Sequence, residues 1–175
     1  PASLQYDLTV VSQPEPSQPL YMALGYINDQ LFLHYDGESR KVELQKPWNY
    51  RGRRKVWERV TQDLEEMGKE LRVTLQDILR QNNQSKGSHT LQATLECELQ
   101  GNDSSRGFWR FRFDGQDFLT FYREKLSWTA AHPSAKKIKE KWRTGSKRNK
   151  VHEEEYCSIR LQRYLASWKG ILERT

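Results

Sequence analysis

The chain has 175 residues and a net charge of +6 at pH 7, with 35% hydrophobic and 30% charged residues. This length and composition fit one compact domain. Every apolar stretch is far shorter than the about 20 residues that a membrane-spanning helix needs. No such helix is therefore predicted, and no signal peptide is expected before Pro1.

The first part of the chain alternates short runs of β-branched and aromatic residues with turn signals. The turn signals are the segment Gln13–Pro19 and the dipeptides Asn28-Asp29 and Asp36-Gly37. Runs bounded in this way are typical of antiparallel strands joined by short turns. Four strands are predicted: Leu4–Val11, Leu20–Ile27, Leu31–Tyr35 and Lys41–Leu44.

After Pro47-Trp48 the apolar residues recur every three or four positions. This period is typical of a helix with one apolar face, and we expect the helix to end near Asn82. The apolar face consists of Trp57, Val60, Leu64, Met67, Leu71, Leu75 and Ile78.

The second part of the chain repeats this order of elements. Asp114-Gly115 predicts a tight hairpin turn, and His132-Pro133-Ser134 opens a second helical segment, interrupted at Gly145-Ser146. Antiparallel strands need helices on only one face. We therefore predict an α+β fold: an eight-stranded antiparallel sheet topped by two long antiparallel helices, with half-domains 1–85 and 86–175. The four further strands are His89–Gln100, Gly107–Phe113, Asp117–Tyr122 and Leu126–Thr129.

Two cysteines allow two interpretations: Cys97 lies in a predicted strand and Cys157 in the second predicted helix. A disulfide would tie this helix to the sheet, whereas buried free thiols would fit a reducing compartment. Two N-glycosylation triplets, at Asn83 and Asn102, favour an oxidising, extracellular compartment.

Several longer motifs are specific to one family. They are Leu4-Gln5-Tyr6, Gly25-Tyr26-Ile27-Asn28-Asp29, Gly87-Ser88-His89-Thr90-Leu91-Gln92, Phe113-Asp114-Gly115-Gln116-Asp117, Lys141-Trp142 and Arg163-Tyr164-Leu165. With the order of elements, they resemble the α1/α2 platform of the MHC class I family over nearly the whole chain. The resemblance implies a disulfide between Cys97 and Cys157 and a glycan at Asn83. Within the family, the chain is similar to non-classical members: the MILL, MIC and ULBP groups and HFE.

The residues that hold peptide ends in this family are only partly present. Peptide presenters use a ring of tyrosines and a Thr-Lys-Trp group, and a peptide terminus buried without such partners loses several kcal/mol. The resemblance therefore implies that this chain is not a classical peptide presenter. The matching residues are Tyr6, Tyr164, Lys141 and Trp142, and the replaced positions are Val56, His152, Gln81 and Ile138.

The strand Gly107–Phe113 alternates aromatic residues with Arg110 and Arg112, so the two kinds of side chain lie on opposite faces. The resemblance turns the aromatic face toward the helices, where it either fills the groove as core or lines a site for a small apolar ligand. The predicted groove floor is Tyr6, Leu8, Leu91, Leu95, Trp109 and Phe111.

The arginine face is the one on which the family docks β2-microglobulin. The charges of Asp7, Arg110 and Arg112 disfavour this partner. Other residues match the family's contacts and favour it, so both interpretations stay open. The matching light-chain contacts include Gln92, Gly115 and Asp117.

Positive charge is concentrated in Lys136–Lys150, and a second cluster opens the first helix, where the helix dipole disfavours it. Such runs are either solvated surface or a ridge for a polyanion. For an extracellular domain without a nucleic-acid-binding motif, heparan sulfate is the expected polyanion, not nucleic acid. The candidate residues are Lys136, Lys137, Lys139, Arg143, Lys147, Arg148, Lys150, Arg51, Arg53 and Arg54.

No catalytic group of residues is recognisable, and the four histidines share no metal-ligand spacing. The chain is therefore predicted to be a recognition protein rather than an enzyme, without metal or cofactor. Its resemblance to the MIC and ULBP groups implies a partner, the activating lectin-like homodimeric receptor of natural-killer cells, which contacts both helices. The predicted receptor-facing residues are Arg59, Gln62, Glu66, Lys69, Arg148, His152 and Tyr156.

Overall fold

A computed structural model of the chain describes residues 2–45, 54–82, 86–100, 104–122 and 127–141. Within these residues, eight strands form one antiparallel sheet in the order β4-β3-β2-β1-β5-β6-β7-β8. The predicted sheet is thus confirmed, with β1 and β5 as its central pair. The strands are β1 (Ala2–Val11), β2 (Tyr21–Ile27), β3 (Gln30–Asp36), β4 (Lys41–Leu44), β5 (Thr90–Gln100), β6 (Ser104–Phe113), β7 (Gln116–Tyr122) and β8 (Ser127–Ala130).

Two hairpin turns have the backbone conformation that their residues favour. Asn28 and Asp29 join β2 to β3 with φ angles of 49° and 66°, and Asp114 and Gly115 join β6 to β7 with φ angles of 49° and 82°. Two successive residues at positive φ are the mark of a type I′ turn, whose twist matches that of antiparallel strands. Asn, Asp and Gly adopt this conformation more readily than other residues do.

Each of these two hairpins also contains a β-bulge. The extra residue is Phe32 in the β2–β3 hairpin and Phe118 in the β6–β7 hairpin. Each extra residue is buried together with the residue after it, Leu33 or Leu119. Strict alternation would turn one member of each pair away from the core. The matched bulges therefore place two additional aromatic rings in the core.

The core lies between one face of the sheet and the helix α1 (Arg54–Gln81). Along β1 every second residue is at most 1% exposed, while the intervening residues, such as Asp7, are half-buried on the other face. We call these faces the helix-facing face and the open face. The buried residues of β1 are Leu4, Tyr6, Leu8 and Val10.

The helix α1 has the predicted period and packs its apolar face on the sheet. A buried hydrogen bond fixes its position, because the Tyr21 hydroxyl donates to the backbone oxygen of Leu64 at 2.8 Å. The apolar residues at its centre are at most 3% exposed, which explains why a helix with a strongly polar opposite face is stable here. They are Val60, Leu64, Met67, Leu71, Leu75 and Ile78.

The second helical segment begins with a 3₁₀ turn (Pro133–Ala135) that continues into the helix α2 (Lys136–Lys141). His132 caps the turn, since its Nδ1 accepts the backbone N–H of Ser134 at 3.2 Å. Ala135 and Ile138 are fully buried and anchor the segment on the core. The predicted break at Gly145-Ser146 and the helix after it lie outside the described residues. No described helix is long and apolar enough to cross a membrane.

Candidate recognition surface

The face of α1 that points away from the core presents one continuous row of exposed side chains. Four predicted receptor-facing residues, Arg59, Gln62, Glu66 and Lys69, are all exposed. Their spacing of three and four residues places them on the same side of the helix. The next position in this row is Val73, whose side chain is 63% exposed. We call these five residues the exposed α1 stripe.

Val73 was not predicted as a surface residue of interest. A single exposed apolar residue is ordinary on protein surfaces, so its weight comes from its position at the end of a charged row. The sequence does contain a signal, because Val73 is out of phase with the buried residues Leu71 and Leu75. An apolar residue out of phase with the core faces solvent or a partner.

The basic segment is described only at its beginning. Lys136 and Lys137 are exposed, and Lys139 is half-buried. Because Ala135 and Ile138 fill the core side of this turn, the lysines are held outward on an anchored element. The other predicted basic and receptor-facing residues lie outside the described residues or have no described side chain: Arg51, Arg53, Arg54, Arg143, Lys147, Arg148, Lys150, His152 and Tyr156.

The predicted groove floor is part of the hydrophobic core. Its six residues, Tyr6, Leu8, Leu91, Leu95, Trp109 and Phe111, are at most 3% exposed. Trp109 and Phe111 pack edge to face with ring centroids 5.1 Å apart, and Trp128 lies 6.0 Å from Phe111. These contacts show that the floor residues are packed against one another and against the neighbouring strands.

The open face is polar at its centre. Asp7 of β1 accepts hydrogen bonds from Gln5 Nε2 and from Thr94 Oγ1, each at 3.1 Å. Burial raises the pKa of the neighbouring Glu96 carboxyl, and the charges of Asp29 and other nearby carboxylates raise it further. A partner of this face must therefore accommodate carboxylates and not only apolar surface.

The predicted light-chain contacts are exposed toward the β6–β7 end of the sheet. Gln92 lies opposite Arg112 in the β5–β6 ladder, and Arg112 lies opposite Asp117 in the β6–β7 ladder. Arg112 Nε donates a hydrogen bond to Asp117 Oδ1 at 3.0 Å, which links the two strands on this face. Gly115 occupies the adjoining turn. The fold thus brings Gln92, Gly115 and Asp117 into one neighbourhood.

An ion pair closes the β6–β7 turn onto the start of β5. His89 Nδ1 lies 2.8 Å from Asp114 Oδ2, and the His89 ring stacks on Phe113 with centroids 5.6 Å apart. Asp114 Oδ1 also accepts the backbone N–H of Thr90 at 2.9 Å. The hydrogen bond with Asp114 raises the pKa of His89 above its usual value.

This raised pKa predicts a pH-dependent stability. The contribution of charged His89 is fully present below its unfolded pKa of about 6.5 and is lost as the pH rises through the higher folded pKa. We expect the free energy of unfolding to fall by about 1 kcal/mol or less above pH 6.5, since the pair is partly solvated. Urea unfolding at pH 5.5 and pH 8.5 measures this change.

The variant His89→Gln is the control for this prediction, because glutamine does not titrate. Between pH 5.5 and pH 8.5, the free energy of unfolding of this variant should therefore change less than that of wild type, because the contribution of charged His89 is missing. Asp114→Asn should reduce the same component while keeping an oxygen for the Thr90 N–H. An identical pH dependence in wild type and in both variants would assign the effect to other groups.

The remaining predicted sites are the disulfide and the two glycosylation sites, and most of their residues are not described by the structure. Cys97 is disulfide-bonded, while Cys157, Asn83 and Asn102 lie outside the described residues. Within the described ranges, no three or more His, Cys, Asp or Glu residues form a group that could hold a metal ion.

Comparison with known proteins adds a family match and several relatives. The family model for the class I histocompatibility antigen, domains alpha 1 and 2, matches residues 1–172. The MHC class I-like protein MILL1 of Mus musculus is 41% identical over 179 residues, which cover 100% of this chain and 45% of the relative. The hereditary hemochromatosis protein of Homo sapiens is 37% identical over 176 residues, covering 98% of this chain and 51% of the relative. Zinc-alpha-2-glycoprotein of Bos taurus is 35% identical over 175 residues, covering 98% and 58%. The chain spans about half the length of these relatives.

Proposed function

Since this chain belongs to the MHC class I family, as a non-classical MHC class I-like α1/α2 platform, we propose that it is a recognition protein. Its helices are displayed to an activating lectin-like receptor of natural-killer cells or T cells. It performs no catalysis and uses no cofactor. The observation that carries this proposal is the exposed α1 stripe above a floor that is itself core.

The described ends of the groove support recognition without a bound peptide. Ile138, at a position where peptide presenters have a threonine, is fully buried and has no hydroxyl to donate. Gln81, at the position of a groove tyrosine, is exposed. Tyr6 is retained, but it is 1% exposed and belongs to the core. Charged peptide ends would therefore lack several of the partners that offset their desolvation.

The exposed α1 stripe has the composition of a protein-binding surface. Val73 supplies an apolar contact at one end of the row, and Arg59, Glu66 and Lys69 supply both signs of charge along it. Interfaces of this kind combine an apolar centre with a polar rim that sets orientation and specificity. By the resemblance to the MIC and ULBP groups, the same face is the one displayed to a lectin-like receptor.

The proposal includes an extracellular location and a second partner on the open face. The disulfide at Cys97 is typical of an oxidising compartment. On the open face, Leu31 is 39% exposed, and Gln92 and Asp117 lie at one end of the sheet. We assign this face to β2-microglobulin, whose docking would have to accommodate Asp7 and Glu96.

Binding to the receptor is the direct test of the proposed function. The glycosylated chain from mammalian cells is passed over the immobilised natural-killer receptor by surface plasmon resonance. Val73→Asp should raise the Kd at least about tenfold, because it places an unpaired charge where an apolar contact is made. Glu66→Lys should raise the Kd by a smaller factor, since rim charges contribute about 1 kcal/mol or less.

The matched control is Leu31→Asp, which makes the same change at an exposed apolar residue of the open face. It should leave receptor binding unchanged. Equal weakening by Val73→Asp and Leu31→Asp would mean that the stripe is not the contact. Absence of binding by the wild-type chain would reject this receptor as its partner.

Polyanion binding is a second candidate, favoured by the exposed Lys136 and Lys137 on their buried anchor. The same assay separates it when heparan sulfate replaces the receptor and Lys136→Glu is compared with Val73→Asp. Loss of heparan sulfate binding in Lys136→Glu alone, together with a steep decrease of binding at higher salt, would favour the polyanion. A loss confined to Val73→Asp on the receptor surface would favour the first proposal.

A further inference from the structure

A cleft of about 380 Å³ opens where the middle of α1 passes over the start of β2 and the β3–β4 turn. We call it the helix–turn cleft. Leu20, Tyr21 and Tyr35 form its inner wall, and Arg40, Lys69 and Arg72 lie around its mouth. All of these residues belong to the first half of the chain, and the cleft is separate from the groove floor.

The inner wall is rigid. The Tyr21 hydroxyl is bonded to the Leu64 oxygen, and its ring lies 5.7 Å from that of Tyr35. Two glycines lie so close to Tyr21 that a larger residue would not fit at either position. A Cβ on Gly68 would lie 2.5 Å from Tyr21 Cε2, and a Cβ on Gly37 would lie 3.0 Å from the backbone oxygen of Tyr21. The wall is therefore preformed, as in sites that bind small molecules.

The cleft has a small net positive charge, because three cations and two carboxylates line it. Arg40, Lys69 and Arg72 are exposed, and none of them forms a side-chain ion pair within the described ranges. Two carboxylates also line the cleft, Glu38 and Glu65. Glu65 Oε1 accepts the Tyr35 hydroxyl at 3.4 Å, so it is directed partly toward the wall.

Arg40 is held in place by an unusual backbone conformation. Its φ angle is 54°, and its N–H donates to the Asp36 oxygen at 2.9 Å. For a residue other than glycine this left-handed conformation costs about 1 kcal/mol. Glycine would fit the turn better, yet the chain has an arginine at the mouth of the cleft. The turn therefore holds the Arg40 backbone in one conformation beside the cleft.

We propose that the helix–turn cleft binds a small amphipathic anion, a carboxylate carried on an aromatic group. The ring would lie against Leu20 and the accessible part of Tyr21, with the buried Tyr35 ring behind them, and the carboxylate would pair with Arg40 and Arg72 at the mouth. A volume of about 380 Å³ lies at the lower end of the range for ligand sites and suits one ring with a short acidic arm. This ligand is a different partner from the receptor proposed above, although Lys69 belongs both to the exposed α1 stripe and to the mouth of the cleft.

Phenylacetate is the probe, and its neutral isostere phenylacetamide is the matched comparison. Binding to the glycosylated chain is measured by NMR titration, with the ring signals of Tyr21 and Tyr35 as reporters. Phenylacetate should shift these signals with a Kd about two- to fivefold lower than that of phenylacetamide for each cation engaged. Arg72→Gln should raise the Kd of phenylacetate by the same factor.

Arg40→Gly is the decisive variant, because it removes the guanidinium and relieves the positive φ. It should melt at the wild-type temperature or above it while phenylacetate binds about two- to fivefold more weakly. Arg59→Gln replaces an exposed arginine on α1 that lies outside the cleft. It should leave the melting temperature and the Kd of phenylacetate unchanged. Equal binding of acid and amide, insensitivity to Arg40→Gly and Arg72→Gln, or ring signals that do not shift would each overturn the proposal.

Discussion

Replacing Phe111 by alanine should lower the free energy of unfolding by about 3–5 kcal/mol. Phe111 is fully buried at the centre of the groove floor, between the rings of Trp109 and Trp128. Its neighbours in the adjacent strands are Ala93 and Leu119. Truncation would remove these contacts and leave a cavity, because strands on both sides prevent the sheet from closing around it. Denaturant unfolding of the purified protein measures the loss.

The matched control is Phe108→Ala in the same strand. Phe108 is half-buried on the open face, where its ring is 4.8 Å from the Arg110 guanidinium. Its truncation should cost only about 1 kcal/mol, since less apolar surface is uncovered. Similar costs for the two variants would mean that the floor is not packed core. The floor would then line a ligand site, the alternative left open by the sequence.

Removing the disulfide should lower the free energy of unfolding by an amount comparable to that for Phe111→Ala. A bridge that closes a loop of about sixty residues is worth about 4 kcal/mol in the chain-entropy model. For a domain of this size we expect Cys97→Ala/Cys157→Ala to melt about 10 °C lower than wild type. Alanine suits the site because Cys97 is 1% exposed between Leu4 and Gly107, where a hydroxyl would be buried without need.

A reductant provides the control for the disulfide prediction. It should lower the melting temperature of wild type by a similar amount and leave that of the double variant unchanged. Peptide mapping without reduction tests the pairing itself, because Cys97 is disulfide-bonded while its pairing with Cys157 stays a prediction. If the double variant melts at the same temperature as wild type, the disulfide does not stabilise the protein.

The order and type of the described elements could be predicted because they depend on local patterns. Alternation in β1 and β6 and the three-to-four period of α1 report which side of each element is apolar. The two type I′ turns were predictable from Asn28-Asp29 and Asp114-Gly115. The family resemblance then determined how the elements are arranged, which periodicity by itself does not.

The bulges show where local patterns stop being sufficient. Phe32 and Leu33 are adjacent and both buried, which a strict period of two cannot produce. The strand pattern therefore did not reveal that Leu31 faces outward, 39% exposed on the open face. Only the register with β2 decides which residue is inserted.

Some surface features could likewise be predicted from the sequence, and others could not. The exposure of Arg59, Gln62, Glu66 and Lys69 was predictable from their phase on α1. The helix–turn cleft was not, because Tyr21, Arg40 and Arg72 come from three elements that are distant in sequence. No short motif marks residues that meet only when a helix is laid across a turn.

The sequence by itself thus determined the secondary structure, the family and the apolar face of each element, because these depend on neighbours along the chain. The tertiary structure decided that the floor is packed core, that the open face has carboxylates at its centre, and that a cationic cleft lies beside α1. These depend on strand register and on how closely α1 approaches Tyr21 at Gly68. Both are set by long-range packing, in which a shift of one residue changes which side chains meet.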